Sequence, residues 1–246
     1  MDVILKNSKT IDLDYLGFKE TNIFNKIGIA KIANFSLNHE ELKNYYDQIS
    51  ININESTINP DFEEYADKWR EIALIKNWEI TKKGSLMQDS LFKLRSQFNT
   101  GIRYMSFYSA KPGLNLHKHR DLTGNLIQGF IRLHIPIYTH PDCFYICGSF
   151  LNPMKIHAKA GNVYALDTGY LHGVVNKSSI NRIHLLIELE VNNWMKGYLP
   201  KKTINFYLHF LAFYFFWAPL SILKDPTLFI GLFKKYFKSA KNSFKP

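Results

Sequence analysis

Between residues 102 and 191 the chain keeps repeating one pattern: a short run of aromatic or β-branched residues, then Gly, Pro or Asn, then another such run. IRYMSFYSA (102–110), LNLHKHRD (114–121), GFIRLHIPIY (129–138), CFYICGSF (143–150), GNVYALDT (161–168) and NRIHLLIELEV (181–191) all have strand length. No helical pattern of crossover length separates them, and parallel strands need such crossovers. The pattern therefore predicts a mainly β (α+β) chain whose core is an antiparallel double-stranded β-helix, a jelly roll of the cupin-like kind.

The flanks read differently. Residues 27–34 (IGIAKIAN) predict a strand, and Asn38 followed by His-Glu-Glu predicts a capped helix running to about residue 49. Residues 50–61 are turn-rich, and a second short helix is expected over 63–72. With no internal repeat and no low-complexity linker, the expected organisation is N-terminal α/β elements with helices over 1–89, the jelly roll over 90–193, and an apolar and basic helical tail over 194–246. The two cysteines, Cys143 and Cys147, form neither a disulfide framework nor a zinc knuckle. The N-terminus has early acidic residues and no apolar stretch of signal-peptide length, so a cytoplasmic location is expected.

A net charge of +10 suggests nucleic acid until its position is considered. From Trp194 to Pro246 there are nine lysines and one aspartate, +8 of the total, so the first 193 residues carry only +2. A basic groove around the chemistry is excluded, and with it a nucleic-acid partner. The tail holds INFYLHFLAFYFFWAPLSIL (204–223), about a membrane thickness of mostly apolar residues, then lysines interleaved with aromatics. Association with the cytoplasmic face of a membrane, lying on it or as a shallow hairpin, is the expectation; a soluble helix packed on the sheet or in a dimer is the alternative.

His119 and Asp121 are two residues apart in HKHRD, so an extended strand directs both side chains to one face. A third ligand is available in His172, within GYLHGVVN and flanked by apolar residues. Two histidines and a carboxylate on one face of iron(II) leave the opposite positions open. Arg182 lies ten residues further on in an apolar strand, where a guanidinium is costly unless an acid pairs with it. That acid is either a bound carboxylate or an internal partner such as Glu188 or Asp167. Arg132-Leu-His134 repeats the i, i+2 arrangement, and both side chains can face the same cavity. His117 shares the parity of His119 and is a candidate for the shell behind the ligands.

In this order, PGLNLHKHRD, GFIRLHIPIYT and GNVYALDTGYLHGVVNKSSINRIHLL resemble the aspartyl/asparaginyl β-hydroxylase family of 2-oxoglutarate oxygenases over roughly residues 90–192. The resemblance implies an iron(II) centre on His119 and His172, and 2-oxoglutarate held by Arg132, His134 and Arg182. The animal members lack the carboxylate ligand; Asp121 is present here, as in bacterial members, so the full triad is expected. A family serine falls on Tyr108. The implied reaction converts 2-oxoglutarate and O2 to succinate and CO2 while hydroxylating a lipid-linked, amino-acid or peptide substrate. The reading from a different class is a jelly roll that binds metal or a small acid without turnover.

Overall fold

The computed structural model describes residues 10–11, 21–32, 35–52, 65, 67–121, 124–148, 153–202 and 204–212, with 215, 216 and 219. The strands are β1 (Thr10–Ile11), β2 (Ile29–Lys31), β3 (Trp69–Lys76), β4 (Glu79–Ile80), β5 (Ile102–Ala110), β6 (Asn115–His119), β7 (Phe130–Tyr138), β8 (Cys143–Gly148), β9 (Pro153–Ile156), β10 (Tyr164–Leu166), β11 (His172–Asn176) and β12 (Arg182–Glu190). The helices are α1 (Thr21–Ile27), α2 (His39–Asn52), α3 (Lys82–Ser85), α4 (Gln88–Arg95), α5 (Asn193–Lys196) and α6 (Ile204–Ala212).

Two sheets carry the architecture. The smaller has the order β1-β9-β8-β11-β6 and the larger β2-β10-β7-β12-β5-β3-β4. From β5 onward the chain passes back and forth between them, only β8 and β9 following one another in the same sheet, which buries both inner faces against each other. Strand parity does the sorting. In β12, Ile183, Leu185, Ile187 and Leu189 join a buried cluster that also takes in Leu42, Tyr45 and Ile49 of α2. Each such aliphatic side chain contributes roughly 1.5–3 kcal/mol on burial. The alternate residues Arg182, His184 and Glu188 are also buried, on the other face with Leu186. That inner face meets Leu116 of β6, Tyr145 and Cys147 of β8 and Val174 of β11. The large sheet thus has an oily outer face under the helices and a polar stripe on its inner face.

The predicted strands at 102–110, 129–138 and 181–191 match β5, β7 and β12 closely. Asn38 caps α2 by accepting from Glu41 N at 3.2 Å. The strand expected from residue 27 begins only at Ile29, because Ile27 ends α1. The helix expected over 63–72 is overturned in its described part: Trp69 onward is β3, paired antiparallel with β5 from Trp69↔Ala110 to Lys76↔Tyr104. A run as short as WREIALIK fits helical spacing and strand alternation equally, and pairing with β5 decides it. Both cysteines are free and buried. Among the described residues no helix is long and apolar enough to cross a membrane.

Candidate active site

His119 ends β6 and His172 begins β11, and the two are direct cross-strand neighbours with ring centroids 4.4 Å apart. Beyond this pair the register shifts, Val174 facing Leu116, so β6 has one extra residue opposite Gly173. A Cβ on Gly173 would lie 2.8 Å from the Leu116 carbonyl oxygen, so glycine is required where the bulged backbone comes close. The bulge turns Leu116 and His119, three residues apart, to the same interior.

Asp121 lies just past β6 and is fixed by its backbone: its N–H donates to Thr168 O at 2.9 Å, and its carbonyl accepts from Asn125 Nδ2 at 3.2 Å. Arg120 Nη1 bonds Gly169 O at 2.7 Å, and Leu126 N bonds the Asp167 carboxylate at 3.2 Å. These bonds clip the loop carrying Asp121 to the turn leading into His172. One ligand atom from each of His119, Asp121 and His172 lies within 4.8 Å of the others. His119 Nδ1 bonds the His117 carbonyl at 3.0 Å, and His172 Nδ1 bonds the Tyr170 carbonyl at 2.9 Å. Each carbonyl takes an Nδ1–H and leaves Nε2 as the lone-pair nitrogen, the tautomer a metal needs.

The charges suit a cation. Burial raises the Asp121 carboxyl, but Arg132, His172 and His119 outweigh it and hold the pKa below the ordinary carboxylate range. Burial and then His119 push His172 down to about 4, so its imidazole is neutral. His117 does not join this group; it is exposed, and its Nδ1 meets the Tyr65 hydroxyl at 2.7 Å.

Deeper in, a second cluster forms on β7, β12 and β8. Arg182 is 2% exposed. Neither internal partner considered for it is there: Glu188 pairs with Arg103 and Arg132, and Asp167 accepts from the backbone N–H groups of Leu126 and Gly169. Among the described residues no acidic side chain pairs with Arg182. Its guanidinium lies 4.8 Å over the Tyr145 ring and donates from Nη2 to His184 Nδ1 at 3.0 Å. The Tyr145 hydroxyl meets His134 Nδ1 at 2.7 Å and His184 Nδ1 at 3.1 Å. Burial and then Arg182 push both histidines well below their ordinary pKa, so both are neutral.

An arginine only donates, so His184 Nδ1 accepts and the ring proton of His184 lies on Nε2. That Nε2, His134 Nε2 and Ser106 Oγ are all buried without a hydrogen-bond partner. Buried polar atoms are rarely left unpaired, and a guanidinium beside orphaned donors fits a carboxylate-bearing ligand. Arg132 stands elsewhere: Nη1 bonds Asp121 Oδ2 at 2.7 Å and Nη2 bonds Glu188 Oε2 at 3.1 Å. Tyr108 bonds Tyr104, hydroxyl to hydroxyl, at 2.9 Å, and Tyr104 donates to Glu71. Sequence reasoning missed His184, although Arg182-Ile-His184 repeats the spacing of Arg132-Leu-His134. It also missed Tyr145, which carries no sequence signal.

The chain belongs to the aspartyl/asparaginyl beta-hydroxylase family, whose model matches residues 33–191. It is a 2-oxoglutarate-dependent hydroxylase that works with iron(II), 2-oxoglutarate and O2. No curated protein matches the chain. Among solved structures it is similar to an oxidoreductase of the 2OG-Fe(II) oxygenase family from Burkholderia pseudomallei, at 9% identity over 80% of this chain and 97% of that one, TM-score 0.48. It is similar also to the carbocyclase SnoK from nogalamycin biosynthesis, at 13% identity over 74% and 87%, TM-score 0.49. HygX from Streptomyces hygroscopicus, solved with nickel and 2-oxoglutarate, gives 13% identity over 72% and 87%, TM-score 0.46. These likenesses are too distant to assign any residue here.

Proposed function

We propose that the two facing sheets form a double-stranded β-helix that hydroxylates an unactivated C–H of a lipid-linked, amino-acid or peptide substrate, with His119, Asp121 and His172 holding the iron. The observation that carries this reading is the pairing of a two-histidine, one-carboxylate cluster with a fully buried Arg182 that meets no acidic side chain among the described residues, on the same interior. When bound, iron(II) and 2-oxoglutarate supply the oxidation: O2 is consumed, oxoglutarate leaves as succinate and CO2, and the substrate gains a hydroxyl. Arg182 grips the oxoglutarate carboxylate, with His184 Nε2–H and His134 completing its hydrogen bonds. Tyr164 beside His134, and Leu186 between His184 and Glu188, line that interior and keep water from it.

The test is anaerobic reconstitution of wild type and His172→Ala with iron(II) and 2-oxoglutarate, then oxygen, with amino acids, peptides or lipid extract added. Succinate from wild type that falls to background in His172→Ala is the expected result. No succinate from wild type with all three substrate classes overturns the reading.

For the setting of the enzyme, we favour the cytoplasmic face of a membrane. Tyr207, Leu208, Leu211, Phe215 and Phe216 are all exposed, behind exposed Lys201 and Lys202. Apolar side chains flanked by lysines suit an anionic lipid surface, and a lipid-linked substrate is then presented where the enzyme sits. The full chain is expected to sediment with anionic vesicles at low salt; a chain that stays in the supernatant removes this placement.

A further inference from the structure

We propose that the inner face of β3 and β5 carries a substrate subsite, built from Glu71, Tyr104 and Tyr108, that takes the ammonium group of an amine-bearing substrate. The inference rests on the hydroxylase reading proposed above and narrows its substrate class.

The two sheets differ in width on the side where His119 lies. The small sheet ends at β6, whereas the large sheet runs on past β5 to β3 and β4. Only residues 111–114 join β5 to β6, so β6 lies over β5, and β3 projects past the small sheet's edge as a ledge. Register gives the ledge its polar face: Glu71 is opposite Tyr108, Tyr108 is opposite His184, and Tyr104 is opposite Glu188. Directly opposed residues of paired strands point to one side, so Glu71, Tyr104 and Tyr108 share the interior with the His184 cluster. Ser106 lies between the two tyrosines on that face, is 0% exposed, and has a buried Oγ without a partner. It marks the seam where the ledge meets the oxoglutarate end.

The direction of the hydrogen bonds fixes what the subsite can hold. Tyr104 donates to a Glu71 carboxylate oxygen. Burial, and then Tyr108 and Glu71, push the Tyr104 hydroxyl above its ordinary pKa, so the phenol keeps its proton. A phenol has one hydrogen to give, so in the 2.9 Å contact between the two hydroxyls Tyr108 is the donor. Both hydrogens are committed within the cluster, and what it presents to a ligand is lone pairs. A ligand there must donate.

Charge and surroundings choose among donors. Glu71 is 4% exposed, and a carboxylate withdrawn from water favours a cation over a neutral hydroxyl. The Trp69 ring lies 5.1 Å from that of Tyr108. Tyr65, just ahead of β3, reaches across to β6, where its hydroxyl meets His117 Nδ1 at 2.7 Å. Aromatic rings beside a carboxylate suit a desolvated ammonium. Tyr104 is half-buried, which leaves the ledge open to solvent at that point. The His117 and His119 rings are 6.0 Å apart, so an ammonium held here sets the rest of its molecule beside the metal ligands. A free amino acid, a peptide and an amine-bearing lipid headgroup share this chemistry.

The experiment loads the full-length protein with oxoglutarate and with cobalt(II) in place of iron(II), so that nothing is consumed. Three sets of probes are then titrated by calorimetry: the proteinogenic L-amino acids, the tripeptide Gly-Lys-Gly, and phosphatidylethanolamine in detergent micelles. The set that binds identifies the source of the amine. At least one probe is expected to bind, and its N-acetylated form to bind about tenfold more weakly or worse. Glu71→Gln is expected to weaken the amine about 10–100-fold, while the Kd values of the acetylated form, of cobalt and of oxoglutarate stay within about threefold. Tyr104→Phe should weaken the amine in the same direction by about three- to tenfold, and carries the test if circular dichroism shows that Glu71→Gln does not fold. An amine that binds no better than its acetylated form, or one indifferent to these substitutions, overturns the proposal. So does the failure of every amine probe to bind a wild type that takes up cobalt and oxoglutarate, an outcome that leaves the hydroxylase reading standing. Failure to take up cobalt and oxoglutarate overturns that reading instead.

Discussion

The two pairs of histidines between the facing sheets are held in different ways. His119 and His172 each bond a backbone carbonyl two residues back, and the loops around them are clipped together by further main-chain bonds. His134 and His184 bond only side chains, sharing the Tyr145 hydroxyl, with the Arg182 guanidinium on His184 alone, and each keeps a buried Nε2 without a partner. The first arrangement is complete and positioned before any ligand arrives. The second lacks an acceptor, and the shape of that deficit is a carboxylate. Preorganisation at the metal end and incompleteness at the acid end are both physical statements about where binding energy is gained.

Removing the guanidinium tests this contrast most severely. Arg182→Met is expected to raise the oxoglutarate Kd by at least about 100-fold, since two charge-assisted hydrogen bonds are lost, while cobalt affinity is unchanged. The same variant should melt no lower than wild type without oxoglutarate, because an apolar side chain of similar length replaces a buried cation that has no acidic partner among the described residues. Calorimetric titration and thermal denaturation read the two outcomes. A variant that binds oxoglutarate normally, or that unfolds at room temperature, would erase the distinction between the two ends.

The metal end is probed through pH. Burial raises Asp167 to about 6, even though it accepts from the N–H groups of Leu126 and Gly169. In the unfolded chain it returns to the ordinary carboxylate value of 3.8. The folded state therefore binds the proton more tightly, and the stability from this group is full below about pH 4 and lost as pH rises through 6. Asp167→Asn keeps an acceptor oxygen and removes the titration. It should gain on the order of 2–3 kcal/mol relative to wild type between pH 4 and pH 8, measured as the difference in urea stability at the two pH values. A difference that does not change with pH would place the cost of Asp167 elsewhere.

The smallest effect is expected at His117. His119 is held by the His117 carbonyl and not by its ring, so His117→Gln should change cobalt affinity by no more than about fivefold. A loss as large as that of a ligand would show that the backbone bond is not what orients His119.

Parts of this design were legible without coordinates. The alternation in NRIHLLIELEV puts Arg182, His184, Leu186 and Glu188 on one face, and the HKHRD spacing marks His119 and Asp121 as a pair. The expected helix over 63–72 failed because a short amphipathic run acquires its conformation from its partner, here β5. His184 was within reach of the same reasoning that selected His134. Tyr145 was not, since its role comes from facing β7 and β12 across the sandwich.

The amino-acid sequence by itself determined the strand parity, the order of the ligand-bearing motifs and the concentration of positive charge after residue 193, because these depend on periods of two and on composition. Tertiary structure alone decided which charges meet. Arg132 and Arg182 occupy similar strands, each two residues before a histidine, yet one is ion-paired to Asp121 and Glu188 and the other meets no acidic side chain among the described residues. The register of β7 against β12, and the loop that brings Asp121 over Arg132, set that difference. Electrostatic pairing acts over a few ångströms, and only the folded chain brings residues from separate strands and loops that close.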